Sequence, residues 1–93
     1  MGDFKLIEKE NVSKLNFPTQ EVLTDKEIIK ERLSDLERVT VLGNAGNIKV
    51  ELFFEDSSEK YVVNTTVWGV TDKRVILKQG ITIPINRILK VSY

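Results

Sequence analysis

The hydrophobic period of this chain changes once, from that of a helix to that of strands, and this change constrains the fold more than any other feature. Ile29, Leu33 and Leu36 recur at the spacing of an amphipathic helix. From residue 47 onward, apolar residues alternate with polar ones, which is the period of a half-buried strand. The pattern therefore predicts one helix followed by several antiparallel strands with short connections.

The start of the helix is predicted from a capping box. Thr24 lies three residues before Glu27, which is the spacing of a capping box. In this motif, each of the two side chains accepts a hydrogen bond from the backbone N–H of the other residue. Asp25 adds negative charge to the first turn, where it interacts favourably with the helix dipole. We therefore expect the helix to begin just after Thr24.

The end of the helix is ambiguous in the sequence. Gly43-Asn44 is a typical C-cap pair and would extend the helix to about Leu42. Residues 39–41 are β-branched, however, and would suit a strand. We favour the helix to about Leu42, because a new strand begins soon after the glycine.

Five strands are expected after the helix. The first alternates over residues 48–54, and only Phe53 breaks the alternation. The second, within residues 60–71, is apolar on both faces, so we expect a long central strand with a bend or bulge at Gly69. Pro84 puts the fourth strand at an edge or at its end, because proline cannot donate to a ladder. The third and fifth strands are expected at residues 74–78 and 88–91.

This element order predicts a mainly β domain, a small and strongly bent five-stranded antiparallel barrel with the helix covering one open end. Closure would remove the exposed sheet edges. Residues 1–18 are interpreted as an N-terminal arm that adds an extended edge or packs loosely. Residues 19–93 are interpreted as one domain, since 93 residues leave little room for a second.

The composition excludes several functional classes. The chain has no histidine and no cysteine, which excludes disulfides, Cys/His zinc sites and Ser-His or Cys-His catalytic units. Its 14 basic and 14 acidic residues give zero net charge, so global steering toward nucleic acid or anionic membrane is not expected. We expect no catalysis, no cofactor, no metal and no small-molecule substrate.

The location is predicted to be cytoplasmic. The first 15 residues lack the apolar run that a secretory signal requires. No apolar stretch approaches the roughly 18 residues of a membrane span.

The segment VNTTVWGVTDKRVILKQGITIPINRILKV resembles a family of small uncharacterised bacterial proteins. In that family, a helix ending in Leu-Gly-Asn precedes a strand like KVELFFED, and the likeness here covers about residues 24–91. No firm function comes with this resemblance.

Two fold-level resemblances carry functional expectations. The order of one helix and five strands is similar to Sm-like domains, which are SH3-type barrels that form rings and bind RNA. Asn86-Arg87 occupies the late turn, where Sm-like proteins carry Arg-Gly or Lys-His. The stretch VTDKRVILKQG followed by IPINRI resembles bacterial PH-like domains, which implies lipid or peptide binding.

A basic surface is predicted near the end of the sequence, because the last 21 residues carry five cations and no acid. These cations could meet phosphates, pair with an acidic protein surface, or form a solvated face. Arg87 could bind a phosphate or carboxylate with two parallel hydrogen bonds, or pair with Asp72 or Glu51. The candidate basic residues are Lys73, Arg74, Lys78, Arg87 and Lys90.

Three aromatic residues are candidates for a protein interface. Trp68 is the only tryptophan and lies in the most apolar strand, which favours a core or subunit-interface position over base stacking. Tyr61 and Tyr93 are better placed for exposure. Acidic residues also cluster around one predicted hairpin, where a solubilising role is favoured over an oxygen-ligand metal site. They are Glu51, Glu55, Asp56 and Glu59.

Together these features predict a non-catalytic interaction module that associates with itself or with another protein through a sheet edge or an apolar face. The alternative is an Sm-like RNA-binding protein that uses the basic strands, and PH-like lipid or peptide binding is third. These hypotheses differ in their partner and in how steeply binding depends on salt.

Overall fold

Residues 3–93 are described by a computed structural model and form an α+β domain. The elements, in chain order, are β1 (Phe4–Leu6), α1 (Lys9–Val12), α2 (Lys26–Gly46), β2 (Val50–Glu55), β3 (Lys60–Thr65), β4 (Val67–Val70), β5 (Arg74–Leu77), β6 (Thr82–Pro84) and β7 (Ile88–Ser92). Two 3₁₀ turns, Lys78–Gly80 and Ile85–Arg87, flank β6.

The strands form two sheets. Sheet A has four strands in the order β1-β3-β2-β7, and sheet B has three in the order β4-β5-β6. All pairings are antiparallel except that of β1 with β3. Within residues 3–93 neither sheet closes into a barrel, so the sequence prediction is confirmed only as a small domain of one long helix and antiparallel strands.

The predicted long strand is divided between the two sheets. It pairs with β2 up to Thr65, and after Thr66 the chain continues as β4 in sheet B. The expected irregularity near Gly69 is present as a register shift between Val67 and Gly69. The position of Pro84 at a sheet edge is confirmed, since β6 is the last strand of sheet B.

The N-terminal arm shares the core of the domain. Its first two residues lie outside the described part of the chain, but β1 pairs with β3 from Phe4↔Lys60 to Leu6↔Val62. Val12 is completely buried, and Phe17 packs on Phe54 with ring centroids 6.0 Å apart. The arm is therefore an integral part of the fold.

Helix α2 begins one residue later than the capping box predicts. The N-cap is Asp25, whose carboxylate accepts hydrogen bonds from the backbone N–H groups of Glu27 and Ile28 at 2.8 and 3.4 Å. An aspartate at the N-cap can satisfy two otherwise unpaired donors and also interacts with the helix dipole.

The helix also ends later than predicted, at Gly46 rather than about Leu42. Asn47 takes the left-handed C-cap conformation with φ 54°, and its N–H donates to the Gly43 carbonyl. Gly43 is buried inside the helix, where a Cβ would lie 2.2 Å from the Val67 carbonyl oxygen. The glycine therefore permits close approach of β4 and does not end the helix.

The core lies between α2 and the inward faces of the two sheets. From the helix it receives Leu36 and Val39, whereas Leu33 remains 43% exposed, contrary to the predicted apolar face. The buried hydrophobic residues are Val12, Leu36, Val39, Val50, Leu52, Phe54, Val63, Val67, Val75, Leu77, Ile83, Ile88 and Val91.

Candidate functional site

The face of sheet A that points away from the core carries an apolar row. Leu6 pairs with Val62, Val62 with Phe53, and Phe53 with Lys90, so one row crosses all four strands. Directly paired residues share a face of a sheet, and the neighbours of Phe53 on β2 are buried on the opposite face. This row therefore faces outward.

Aromatic and cationic contacts frame the row. The ring of Phe4 meets that of Phe53 edge-on, with centroids 5.0 Å apart and planes at 78°. The Lys90 ammonium lies 5.7 Å from the Phe53 centroid, within the range of a cation–π contact. Leu6 is 74% exposed. We call Phe4, Leu6, Phe53 and Val62 the outer strip.

The sequence contained a signal for the outer strip. Phe53 interrupts the alternation of its strand, because Leu52, Phe53 and Phe54 are three consecutive apolar residues. Two of the three occupy the inner face and are completely buried, so the third must face outward. Phe4 and Leu6 could not be identified from the sequence, because their position on this face depends on the parallel pairing of β1 with β3.

The structure divides the predicted basic surface. Lys73, Arg74 and Lys78 are exposed on or beside β5 in sheet B, and Lys90 is exposed on β7 in sheet A. Arg87 is only 5% exposed, so it does not belong to a surface. The remaining cations occupy two sheets and do not form one row along a strand.

Arg87 connects its own turn to two other segments of backbone through three carbonyl groups. Its Nε donates to the Glu55 carbonyl at 3.1 Å, Nη1 to the Gln20 carbonyl at 2.8 Å, and Nη2 to the Asp56 carbonyl at 3.1 Å. Its ion pair is with Glu55, at 3.5 Å, and not with Asp72 or Glu51 as considered from the sequence. Arg87 therefore acts as a structural clamp.

Arg32 is a second buried arginine, which the sequence analysis missed. Both of its terminal nitrogens donate to the Glu21 carboxylate at 2.6 Å, and Nη1 also donates to the Ile88 carbonyl at 3.0 Å. Its Nε–H has no acceptor within the described residues. Arg32 lies four residues before Leu36 on the buried face of α2, and this helical spacing could have identified it.

Burial and hydrogen bonding have opposite effects on the pKa of Glu21. Partial burial desolvates the carboxylate and by itself would raise its pKa. The hydrogen bond from Arg32 and the backbone N–H of Leu23 stabilise the charged form, and the net result is a pKa below the usual value of 4.5. Glu21 therefore holds Arg32 as a charged pair at neutral pH.

Both arginines hold the segment of residues 16–22, which we call the strap. Backbone hydrogen bonds add to this attachment, since Ser57 N–H donates to the Asn16 carbonyl and Val22 N–H to the Asn86 carbonyl, each at 2.9 Å. The Asn86 side-chain amide donates to the Thr19 carbonyl. The strap thus joins the β2–β3 turn to the turn before β7.

The three predicted interface aromatics do not come together. Trp68 is 43% exposed on β4, so a core position is wrong. Tyr61 stacks on Phe54 at 5.8 Å, at one end of sheet A. Tyr93 follows β7 at the other end of that sheet, where its hydroxyl accepts from Arg38 at 2.7 Å and donates to Asp35 at 3.1 Å.

The acidic hairpin has structural roles. The buried Asp56 carboxylate accepts from the N–H groups of Ser58 and Glu59 at 2.8 and 2.7 Å and so forms the turn. Glu59 pairs with Lys5 at 2.5 Å, which attaches β1. In residues 3–93 no three carboxylates come together in a metal-binding arrangement.

Comparison with protein-family models, with curated proteins and with solved structures gives no significant match. In the described part of the chain, no helix combines the length and apolar character needed to cross a membrane. The function must therefore be inferred from the surfaces themselves.

Proposed function

We propose that this domain is a non-catalytic interaction module that associates with a second copy of itself through the outer strip of sheet A. The observation that carries the proposal is the apolar row at Leu6, Val62 and Phe53 on the solvent side of a four-stranded sheet. The solvated face of a largely antiparallel sheet such as sheet A normally carries polar residues. Exposed contiguous apolar patches mark interaction sites.

The charges around the strip suit a twofold symmetric contact. On the same face, Lys60 of β3 lies directly opposite Glu55 of β2, and Asn64 of β3 opposite Glu51 of β2. A twofold axis parallel to the strands, between β2 and β3, exchanges these two strands. Lys60 then faces Glu55 of the second copy, and Val62 faces its Phe53. Such a self-complementary patch is what a closed dimer requires.

We also propose that the two sheets are the halves of a strongly bent SH3/Sm-like barrel. Support comes from the strand order, in which β7 pairs with β2, β2 with β3, and β3 continues through Thr66 into β4 of sheet B. Helix α2 contacts both halves, through Gly43 against Val67 and through Arg32 on the Ile88 carbonyl.

The test is the concentration dependence of mass, measured by sedimentation equilibrium on the wild type and on three variants. Phe53→Thr keeps β propensity and removes the central ring, so we expect dimerisation to weaken by roughly tenfold or more. Lys60→Glu should also weaken it, because it places two carboxylates opposite each other. Val41→Thr is the matched control, since Val41 is 66% exposed on α2, outside the strip.

A wild type that remains monomeric at high concentration, or a control variant as defective as Phe53→Thr, would contradict the proposal. RNA binding is the alternative, and the same samples are measured with a short single-stranded RNA at low and moderate salt. Binding that weakens steeply with salt and is abolished by neutralising Lys73, Arg74 and Lys78 would favour RNA over self-association as the function.

A further inference from the structure

A cleft of about 530 Å³ lies between the strap and one end of sheet B. It shares no residue with the outer strip. Its volume is in the range of about 300–1,000 Å³ typical of small-molecule sites. No segment of the described chain fills it, although it is bordered by the strap, the β4–β5 turn and the end of β6.

The lining combines apolar walls with charged groups. Phe17 and Pro18 of the strap face the cleft from one element, and Pro84 and Ile85 from another. The two prolines are rigid, Phe17 packs on Phe54, and Ile85 packs against the hydrophobic core, so these side chains have limited freedom. An apolar ligand group would therefore enter a largely preformed site.

The charges in the lining favour an anion of low charge. Three cationic side chains, Arg32, Lys73 and Arg74, meet two anionic ones, Glu21 and Asp72. Arg32 and Glu21 neutralise each other through two hydrogen bonds of 2.6 Å. Lys73, Arg74 and Asp72 then leave one net positive charge, and all three side chains are exposed. Neither Lys73 nor Arg74 forms an ion pair with an acid among the described residues.

We propose that this cleft binds an amphipathic monoanion, with its carboxylate between Lys73 and Arg74 and its apolar body against Phe17, Pro18, Pro84 and Ile85. Arg74 lines the cleft and is held by a hydrogen bond of 3.2 Å from its Nη1 to the Thr82 hydroxyl. Asp72 disfavours a polyanion such as RNA at this position, because it adds a like charge beside the two cations.

The probe is octanoate, and binding is followed by amide chemical shifts in the ¹⁵N-labelled full chain. We expect saturable shifts at Thr19, Asp72 and Asn86, which border the cleft. Acetate at equal concentration should give no such shifts, because it lacks the apolar body. Octylammonium should give none, because it carries the opposite charge. These comparisons need no variant and so do not depend on the folding of a mutant.

A charge variant tests the anionic half of the proposal. The double substitution Lys73→Gln, Arg74→Gln should weaken octanoate binding by roughly three- to tenfold, the usual range for two solvent-accessible ion pairs. Lys78→Gln is the matched control, since Lys78 is exposed beside the same strand but does not line the cleft. Equal weakening by the control, equal binding of octylammonium, or no saturable shifts with octanoate would each overturn the proposal.

Discussion

Arg87 donates a 2.8 Å hydrogen bond to the carbonyl oxygen of Gln20, and this contact joins the turn before β7 to the N-terminal strap. Its other two nitrogens hold the carbonyls of Glu55 and Asp56 at the end of β2. One planar guanidinium thus fixes three segments that are distant in sequence. The geometry requires arginine, because a lysine ammonium lacks the rigid fork of donors.

Replacement of Arg87 should destabilise the domain even when the charge is kept. We expect Arg87→Leu to lower the free energy of unfolding by about 3 kcal/mol, because three carbonyls lose their donor. Arg87→Lys should cost about 2 kcal/mol, since lysine cannot reach all three. Urea denaturation followed by far-UV circular dichroism gives both values. The interpretation of Arg87 as a clamp fails if Arg87→Lys stays within about 0.5 kcal/mol of the wild type.

Glu21 should make the stability sensitive to acid. Because its pKa is lowered in the folded state, its contribution is complete above its unfolded pKa of about 4.5 and is lost as the pH falls through the lower folded value. Glu21→Gln should cost about 2–3 kcal/mol at pH 7, because the buried Arg32 loses its partner, and the difference from wild type should shrink below pH 4.5. Urea unfolding from pH 3 to 7 measures this. A difference that stays constant over that range would contradict the assignment.

The same substitution should change the stability of the domain by very different amounts at two glycines of α2. Gly43→Ala places a Cβ against the Val67 carbonyl and should destabilise the domain by about 2 kcal/mol or more. The Cβ that Gly46→Ala adds would lie 3.7 Å from the Ile48 side chain, which is an ordinary van der Waals distance. This substitution should therefore be neutral or slightly stabilising. Thermal unfolding of both variants decides this. Equal tolerance at the two sites would mean that β4 does not approach the helix as described.

The N-terminal arm should contribute to global stability. Val12→Ala removes two buried methyl groups from a site with no solvent exposure and should cost about 2 kcal/mol. Val41→Ala is the same substitution at a site that is 66% exposed and should stay within about 0.5 kcal/mol of the wild type. Urea unfolding compares them. A Val12→Ala variant as stable as Val41→Ala would show that the arm unfolds separately.

The strands were predictable because their signals are local. Alternation, turn residues and the edge position of Pro84 all depend on neighbours within a few residues. Every segment after the long helix that was predicted as extended does contain a strand, although the longest one is divided into β3 and β4. The position at which the long strand divides, Thr66, was not predictable. It is set by where sheet A ends and sheet B begins, which depends on contacts between distant segments. The irregularity expected at Gly69 is a separate feature, a register shift between Val67 and Gly69 within β4.

The end of the helix shows how a local signal can have two meanings. Gly43-Asn44 fits a C-cap, yet Gly43 is required by the approach of Val67 from a strand that lies more than 20 residues later. Asn47 provides the left-handed cap instead. Only the packing of β4 on α2 distinguishes these two uses of glycine.

The sequence by itself determined the long helix, the run of antiparallel strands after it, and the break in alternation at Phe53. Its lack of histidine and cysteine also excluded the chemistry of those side chains. Only the tertiary structure decided which cationic side chains near the end of the sequence lie on the surface and which one is buried and holds backbone segments together. Arg87 and Lys90 look alike in a basic tail, but Arg87 is buried among three carbonyls, whereas Lys90 is exposed and lies over the half-buried Phe53 ring. The reason is that the hydrogen-bond partners of Arg87 belong to segments distant in sequence, and the residues around Arg87 and Lys90 do not encode those contacts.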